Sequence, residues 1–281
     1  MTSLPESRDE SPLYRLRLTT WRQTPATRIP DATAAAALID QVGIATLYPA
    51  SPEIPTLFHA FTGDPAAQTD SGHSSPSGQV YGWRWDLGRA QAAFYSTIVR
   101  RRPTWVSWLL LPAVLRLRAE TRAPDELADL GAISPGAYRI AQILESAQGA
   151  LSTGELRRAA GFPTGKEQRS AYLKAVDELE TRLLLAKVFS TDDHDMHHAL
   201  VTMQYREYSE AAEQMRREDA LDRVLSTYLP HAVYAVPDRL AKHLGLTEAE
   251  LHGALERLRA AGQVRAISLP FEKAQCYVWE T

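Results

Sequence analysis

The strongest constraint on the fold is a pattern that occurs twice. From Pro135 the chain reads as three helices followed by a β-hairpin, and from Asp219 the same order returns. In the first copy, Pro135–Gln148 carries Ile140, Ile143, Leu144 and Ala147 at helical spacing. Ser152 or Thr153 caps a short helix, Gly154–Ala160, that Gly161 ends. Pro163-Thr164-Gly165 then turns into a longer helix, Lys166–Arg182, with Ala171, Ala175, Val176 and Leu179 as its core stripe. A strand at Leu183–Phe189, a polar turn at Thr191–His198 and a strand at Ala199–Tyr205 complete the unit. The second copy runs Asp219–Tyr228, Pro237–Leu244 and Thr247–Ala261, with Thr247 and Glu250 forming a capping box. Its hairpin is Val264–Leu269 and Ala274–Trp279, turning at Pro270-Phe271-Glu272-Lys273.

Helix, helix, helix, strand, wing, strand is the order of a winged helix. The expected class is therefore mostly α with small β-hairpins, an α+β fold. The first half of the chain is less regular. Residues 1–11 are polar, and Leu13, Arg15 and Arg17 alternate with Tyr14, Leu16 and Leu18, which predicts a short extended arm within a tail over residues 1–26. Asp31 caps a helix over Ala32–Val42 that ends at Gly43, an apolar run from Ile44 to Tyr48 follows, and Pro55–Phe61 reads as a turn or two of helix. Residues 62–80 read as a mobile loop, rich in Gly, Ser, Pro and Asp up to residue 78 with an extended exit at Val80 and Tyr81. Trp83–Arg101 is predicted helical, Thr104–Leu111 β-compatible, and Ala113–Leu130 a charged helix or linker.

Several function classes fall away. The single cysteine, Cys276, makes neither an internal disulfide nor a cysteine-based zinc site, and a reducing cytoplasm fits it best. The longest apolar run, Trp105–Leu117, is short and broken by Pro112 and Arg116, so no membrane span is expected. The opening MTSLPESRDESP lacks the apolar core of a signal peptide. Walker, GxGxxG, GxSxG and HExxH motifs are lacking, and no cofactor is expected. A net charge of −3 exerts no global pull on nucleic acid, so any such contact must come from local arginine.

Three places carry candidate chemistry. Asp192-Asp193-His194-Asp195-Met196-His197-His198 has ligand-type side chains, but on a short hairpin turn they are expected to be solvated and without metal. The run Arg84, Arg89, Arg100, Arg101, Arg102, Arg116 and Arg118 interleaves with Trp83, Trp85, Tyr95, Trp105 and Trp108. Such a run faces phosphate and stacks bases, holds core aromatics with the arginine triplet complementing a helix C-terminus, or forms a protein interface. The third place is the helix-turn-helix of the middle unit: Arg157, Arg158, Lys166 and Arg169, with Gln168, Ser170 and Lys174, are the residue types that meet a major groove. Its counterpart starts Glu248, Glu250, His252 and suits packing better than reading.

The phrases LIDQVGIATLYPASPEIPTLFHAF, GWRWDLGRAQAAFYSTIVRRRPTWVSWLLLP and LSTGELRRAAGF carry a resemblance to the AlkZ group of winged-helix DNA glycosylases, which unhook interstrand crosslinks and alkylated bases, and most closely to the AlkZ-related branch. The resemblance covers most of residues 30–281. It implies three tandem winged helices forming a C-shaped DNA cradle: a degenerate first unit over 27–132, then units over 133–207 and 208–281. It also implies a Gln-x-Gln motif just after the first helix that positions the water for base excision. Here the matching stretch is Ala45-Thr46-Leu47, and neither glutamine is present. Alanine and leucine offer no donor or acceptor to a water. No catalytic residue is therefore assigned, although Gln41, Asp40 and Tyr48 lie near in sequence. The expected DNA-binding set is Arg100, Arg101, Arg102, Arg157, Arg158, Lys166 and Arg169, and the expected partner is duplex DNA, damaged or intact, in the cytoplasm or at the nucleoid. Three other readings stay open at this point: an active glycosylase with a relocated catalytic residue, a helix-turn-helix transcription regulator, and a protein-interaction scaffold.

Overall fold

The computed structural model describes residues 8–162, 165–191 and 195–280. A short 3-10 turn, Arg8–Glu10, leads into α1 (Pro12–Thr20). The segment predicted as an extended arm is thus a helix. Its alternation over six residues was misleading because Arg17 is an inward-facing position: the side chain is fully buried and pairs with the equally buried Glu53 at 3.6 Å. Arg17 also donates to the carbonyls of Ala232 (2.7 Å), Pro52 and Tyr234, and lies over the Tyr234 ring. A charge this deep is tolerable only when every donor has a partner.

The order helix–strand–helix–helix–strand–strand then occurs three times. The first set is α2 (Ala32–Val42), β1 (Ile44–Thr46), α3 (Leu57–Thr62), α4 (Pro76–Arg89), β2 (Phe94–Val99) and β3 (Arg102–Val106). Helices α5 (Leu111–Arg118) and α6 (Pro124–Asp129) lead to the second: α7 (Pro135–Ala147), β4 (Leu151–Ser152), α8 (Thr153–Ala159), α9 (Lys166–Thr181), β5 (Leu185–Phe189) and β6 (Met196–Leu200). After α10 (Val201–Gln204) and α11 (Arg206–Gln214) comes the third: α12 (Arg217–Ala232), β7 (Tyr234–Ala235), α13 (Pro237–Leu244), α14 (Glu248–Ala260), β8 (Val264–Ile267) and β9 (Cys276–Trp279). Each set forms its own antiparallel three-stranded sheet with the last strand in the middle: β1-β3-β2, β4-β6-β5 and β7-β9-β8.

Local chemistry explains most of the boundaries. Asp31 accepts from the Ala34 amide and Gly43, at φ 78°, ends α2. Ser134 caps α7, and Ser152 and Thr247 complete capping boxes with Glu155 and Glu250. Three expectations are corrected. The helix predicted over Trp83–Arg101 is α4 followed by β2, so the loop is confined to residues 63–75. The second strand of the middle hairpin begins at Met196, not Ala199. That strand ends at Leu200, and Val201–Gln204 is helix α10. Of the two readings of Ala113–Leu130, charged helix or linker, the helix holds in α5 and α6, and Ala113, Val114, Leu115 and Leu117 of α5 are buried.

The first and third sets share one hydrophobic core, reaching from Leu38, Ile39 and Trp105 to Val224, Leu229 and Leu255. The middle set has a core of its own around Ile140, Leu144, Leu156, Tyr172 and Leu179. It docks on the first through Phe189, whose ring stacks on Trp105 (5.9 Å between centroids) and meets Tyr95 and Trp85 edge-on. Gly88 lies directly beneath that ring, so no Cβ fits there.

Candidate nucleic-acid interface

The arginine triplet does not end a helix. Val99 pairs with Arg102, leaving Arg100 (φ 50°) and Arg101 (φ 56°) as the two central residues of the β2–β3 turn. A two-residue hairpin with both central φ positive normally carries Asn-Gly, because a Cβ disfavours that region. Two successive arginines there hold strain of order 1–3 kcal/mol each. A one-residue shift in register between Ser96 and Val99 marks a bulge just before the turn. All three arginines are exposed.

The turn is joined to the middle set. Arg101 reaches Asp177 of α9 at 3.5 Å. From Asp177, α9 runs back toward its start at Lys166, a rise of about 16 Å. Residues 165–171 are all exposed, so the first two turns of α9 stand clear of the body with Lys166, Gln168, Arg169 and Ser170 in solvent. Leu173 is 53% exposed on the same helix. Arg157 on α8 donates to the Gly165 carbonyl (3.4 Å) at the foot of this projection, and Arg158 beside it is exposed. The structure therefore brings the triplet and the α8–α9 basic residues onto connected elements. It does not bring in the rest of the arginine run. Arg84 lies over the Tyr81 ring and bonds its hydroxyl, and Arg89 donates to the Ser190 carbonyl. Arg118 is pressed against Gly245, and burial lowers its pKa. Trp83, Trp105 and Tyr95 are buried, so these rings serve the core rather than a base stack.

Behind the turn lies a groove that sequence reasoning missed. Arg102 and Tyr48 line a cavity of about 540 Å³ with Asp70 and Ser77. Pro49, His59 and Pro65 separate it from a second cavity of about 350 Å³ under α1. Arg100 donates to the carbonyl of Ala50, on the wall of that second cavity, at 2.8 Å. Tyr48 donates to the Ser77 carbonyl, and burial raises its pKa. His59 is lowered by burial, with Nε2 against the Ala67 carbonyl at 3.2 Å. The groove joins residues from α1, the β1–α3 connection, the 63–75 loop and β3, so no local motif announces it.

Ala45, Thr46 and Leu47 form or follow β1 and are all buried. Asp40 is exposed and Gln41 half-buried on α2. In the middle hairpin, Asp192, Asp193 and His194 lie outside the described residues. His197 and His198 stand on β6, where neighbours point to opposite faces. His198 is 3% exposed, its Nε2 lies 3.2 Å from the Thr153 hydroxyl, and burial pushes its pKa down to about 3. Among the described residues no group of three or more histidine, cysteine or acidic side chains could hold a metal, and no helix is long and apolar enough to cross a membrane. The acidic start of α14 is engaged internally: Glu250, paired with Arg217 at 2.7 Å, is held down to about 2.

A family model described as AlkZ related matches residues 29–250. Among solved structures, the fold matches that of the Streptomyces sahachiroi DNA glycosylase AlkZ with a TM-score of 0.54, at 14% sequence identity, over 94% of this chain and 69% of that one. No curated protein matches the sequence.

Proposed function

The chain belongs to the AlkZ-related family, and from that premise we propose that it binds duplex DNA through three tandem winged-helix units and serves DNA repair without glutamine-dependent base excision. The units would span residues 27–132, 133–207 and 208–281, preceded by the arm over residues 1–26, whose helix α1 braces the first against the third through Arg17. The duplex, damaged or intact, would meet the protein in the cytoplasm or at the nucleoid.

One observation carries this reading. The only charged residues committed to a strained, solvent-facing conformation among the described residues are Arg100 and Arg101, apart from Arg22 in the turn after α1. Strain of that kind persists where a site over-determines it. Through Arg101 and Asp177 the turn abuts α9, the helix whose counterpart in winged helices enters the major groove. Arg100, Arg101 and Arg102 would hold phosphates, as would Arg157 and Arg158, while Lys166 and Arg169 present to base edges. The loss of excision chemistry follows from β1: Ala45 and Leu47 are buried and apolar, so no amide there can orient a water.

Fluorescence anisotropy with a labelled duplex tests the binding, and chromatography of free base from alkylated DNA tests the chemistry. The expected result is salt-dependent binding with no base released above background. Base release that stops on changing Gln41 or Asp40 would show relocated chemistry. A sequence-specific footprint would make the protein a regulator, and absence of duplex binding would make it a scaffold.

A further inference from the structure

We propose that α4 and the groove beside it hold a single-stranded stretch of DNA next to the duplex, with Tyr81 as the ring on which its bases stack; this rests on the DNA-binding reading above. Tyr81 is 48% exposed, one of five large apolar side chains left in solvent among the described residues. It is also held in place. The Arg84 guanidinium lies 4.4 Å from its ring centroid and donates to its hydroxyl at 2.7 Å. Arg84 lies over Trp85 as well (5.4 Å), Arg89 lies over Trp85 at 5.3 Å, and Trp85 meets Phe189 edge-on. A ladder of alternating rings and guanidinium groups therefore runs along α4 from the seam with the middle set to Tyr81. Arg84 has no acidic partner among the described residues, so its charge is left for phosphate. A cation over one face of Tyr81 leaves the other face for stacking. A ring already fixed loses little entropy when a base lands on it.

The surroundings of Tyr81 fit a single strand rather than a duplex. Ser77 lies one turn before Tyr81 on the same face of α4, and it lines the cavity of about 540 Å³ with Tyr48 and Arg102. The Tyr48 hydroxyl donates to the Ser77 carbonyl, and after burial it is Tyr81 and Arg84 that act on it most, so a second ring stands near the first. Arg102 in the groove and Arg84 on α4 supply two cations beside these rings. Cations for the backbone with rings for the bases make a single-strand track. Asp70, the acid that lines the groove, repels phosphate and accepts from exocyclic amines, which keeps the backbone on the arginines. One strand fits a cavity of this size, whereas the bases of a duplex have their faces covered by their neighbours. Gly82 is exposed beside Tyr81, and a Cβ there would meet nothing. Glycine inside a helix costs about 1 kcal/mol relative to alanine, and packing does not call for it here. What it provides is an open approach to the ring.

The test compares three labelled DNAs by anisotropy with the full chain: a blunt duplex, the same duplex with a tail of about eight thymidines, and the same duplex with an abasic tail of equal length. The two tails carry the same phosphates and differ only in their bases, and each is placed on the 3′ end in one set and on the 5′ end in another. In at least one polarity wild type should bind the thymidine tail roughly tenfold more tightly than the abasic tail, within the range of one base stacked on an aromatic ring. In Tyr81→Ala that ratio should fall to about one, and Tyr81→Phe, which keeps the ring, should retain most of it. Equal affinity of wild type for the two tails in both polarities would overturn the inference even if the blunt duplex binds. A ratio that survives in Tyr81→Ala would place the strand, or a protein partner of α4, elsewhere and overturn it too. Failure to bind any of the three would overturn the DNA-binding reading itself, whereas binding of the thymidine tail without the blunt duplex would uphold the inference and confine the protein to unpaired DNA.

Discussion

Arg100 and Arg101 occupy a backbone geometry that Asn-Gly adopts without strain. Arg100→Asn with Arg101→Gly should therefore stabilise the fold by about 1 kcal/mol in urea titration, since the exposed Arg101–Asp177 pair contributes only ~0–1 kcal/mol. The same variant should bind duplex DNA less tightly. Reduced stability would show that the arginines are there for packing. His198 gives a second test. Its folded pKa, near 3, lies below that of a free imidazole, so the unfolded chain takes up the proton first as pH falls. The stability from burying it neutral is complete above about pH 6.5 and is lost toward the folded value, at up to ~1.4 kcal/mol per pH unit. His243, at about 4, acts in the same direction. Urea midpoints should fall steadily from pH 7 to 5, and His198→Gln should flatten that dependence; an unchanged profile would place the proton uptake elsewhere. The sequence showed His197-His198 as part of one polar cluster. It could not show that β6 begins at Met196 and sends the two rings to opposite faces.

Element boundaries were legible where a side chain makes them. The capping box at Thr247/Glu250, the cap at Ser152 (one of the two candidates there), and the glycine ends at Gly43 and Gly245 follow from local bonds and appear where expected. The β2–β3 hairpin was hidden because nearly all of Phe94–Val99 is buried, which removes the alternation that distinguishes a half-exposed strand from a helix. Helix α1 was hidden because its inward residue is an arginine, whose burial depends on Glu53 and Tyr234, far away in sequence. The groove residues Tyr48 and Asp70 were legible only once those elements were placed. At this scale the docking of the middle set depends on Gly88. Phe189 is held on its other sides by Trp105, Tyr95 and Trp85, so Gly88→Ala has nowhere to push the ring. It should cost about 1–3 kcal/mol by overpacking, read as a lower Tm. An unaltered Tm would mean that the seam is plastic.

In the whole molecule the three sets are not packed in chain order. The first lies between the middle and the third, sharing a core with the third and holding the middle one through Phe189. Arg17 in α1 ties that helix to the third set, and Arg17→Met should destabilise by about 3–5 kcal/mol because Glu53 is left buried with Arg239 as its one ionic partner among the described residues. That arrangement puts the β2–β3 turn at the junction from which α9 projects and into which the groove opens. With a net charge of −3, the proposed affinity for phosphate would have to be concentrated there. The most direct test is the salt dependence of duplex affinity in Arg100→Ala, Arg101→Ala, Arg102→Ala. The account predicts weaker binding to all duplexes alike and a log–log slope flatter by about one unit per lost phosphate contact, with the fold intact. An unchanged affinity and slope in a folded triple variant would contradict it.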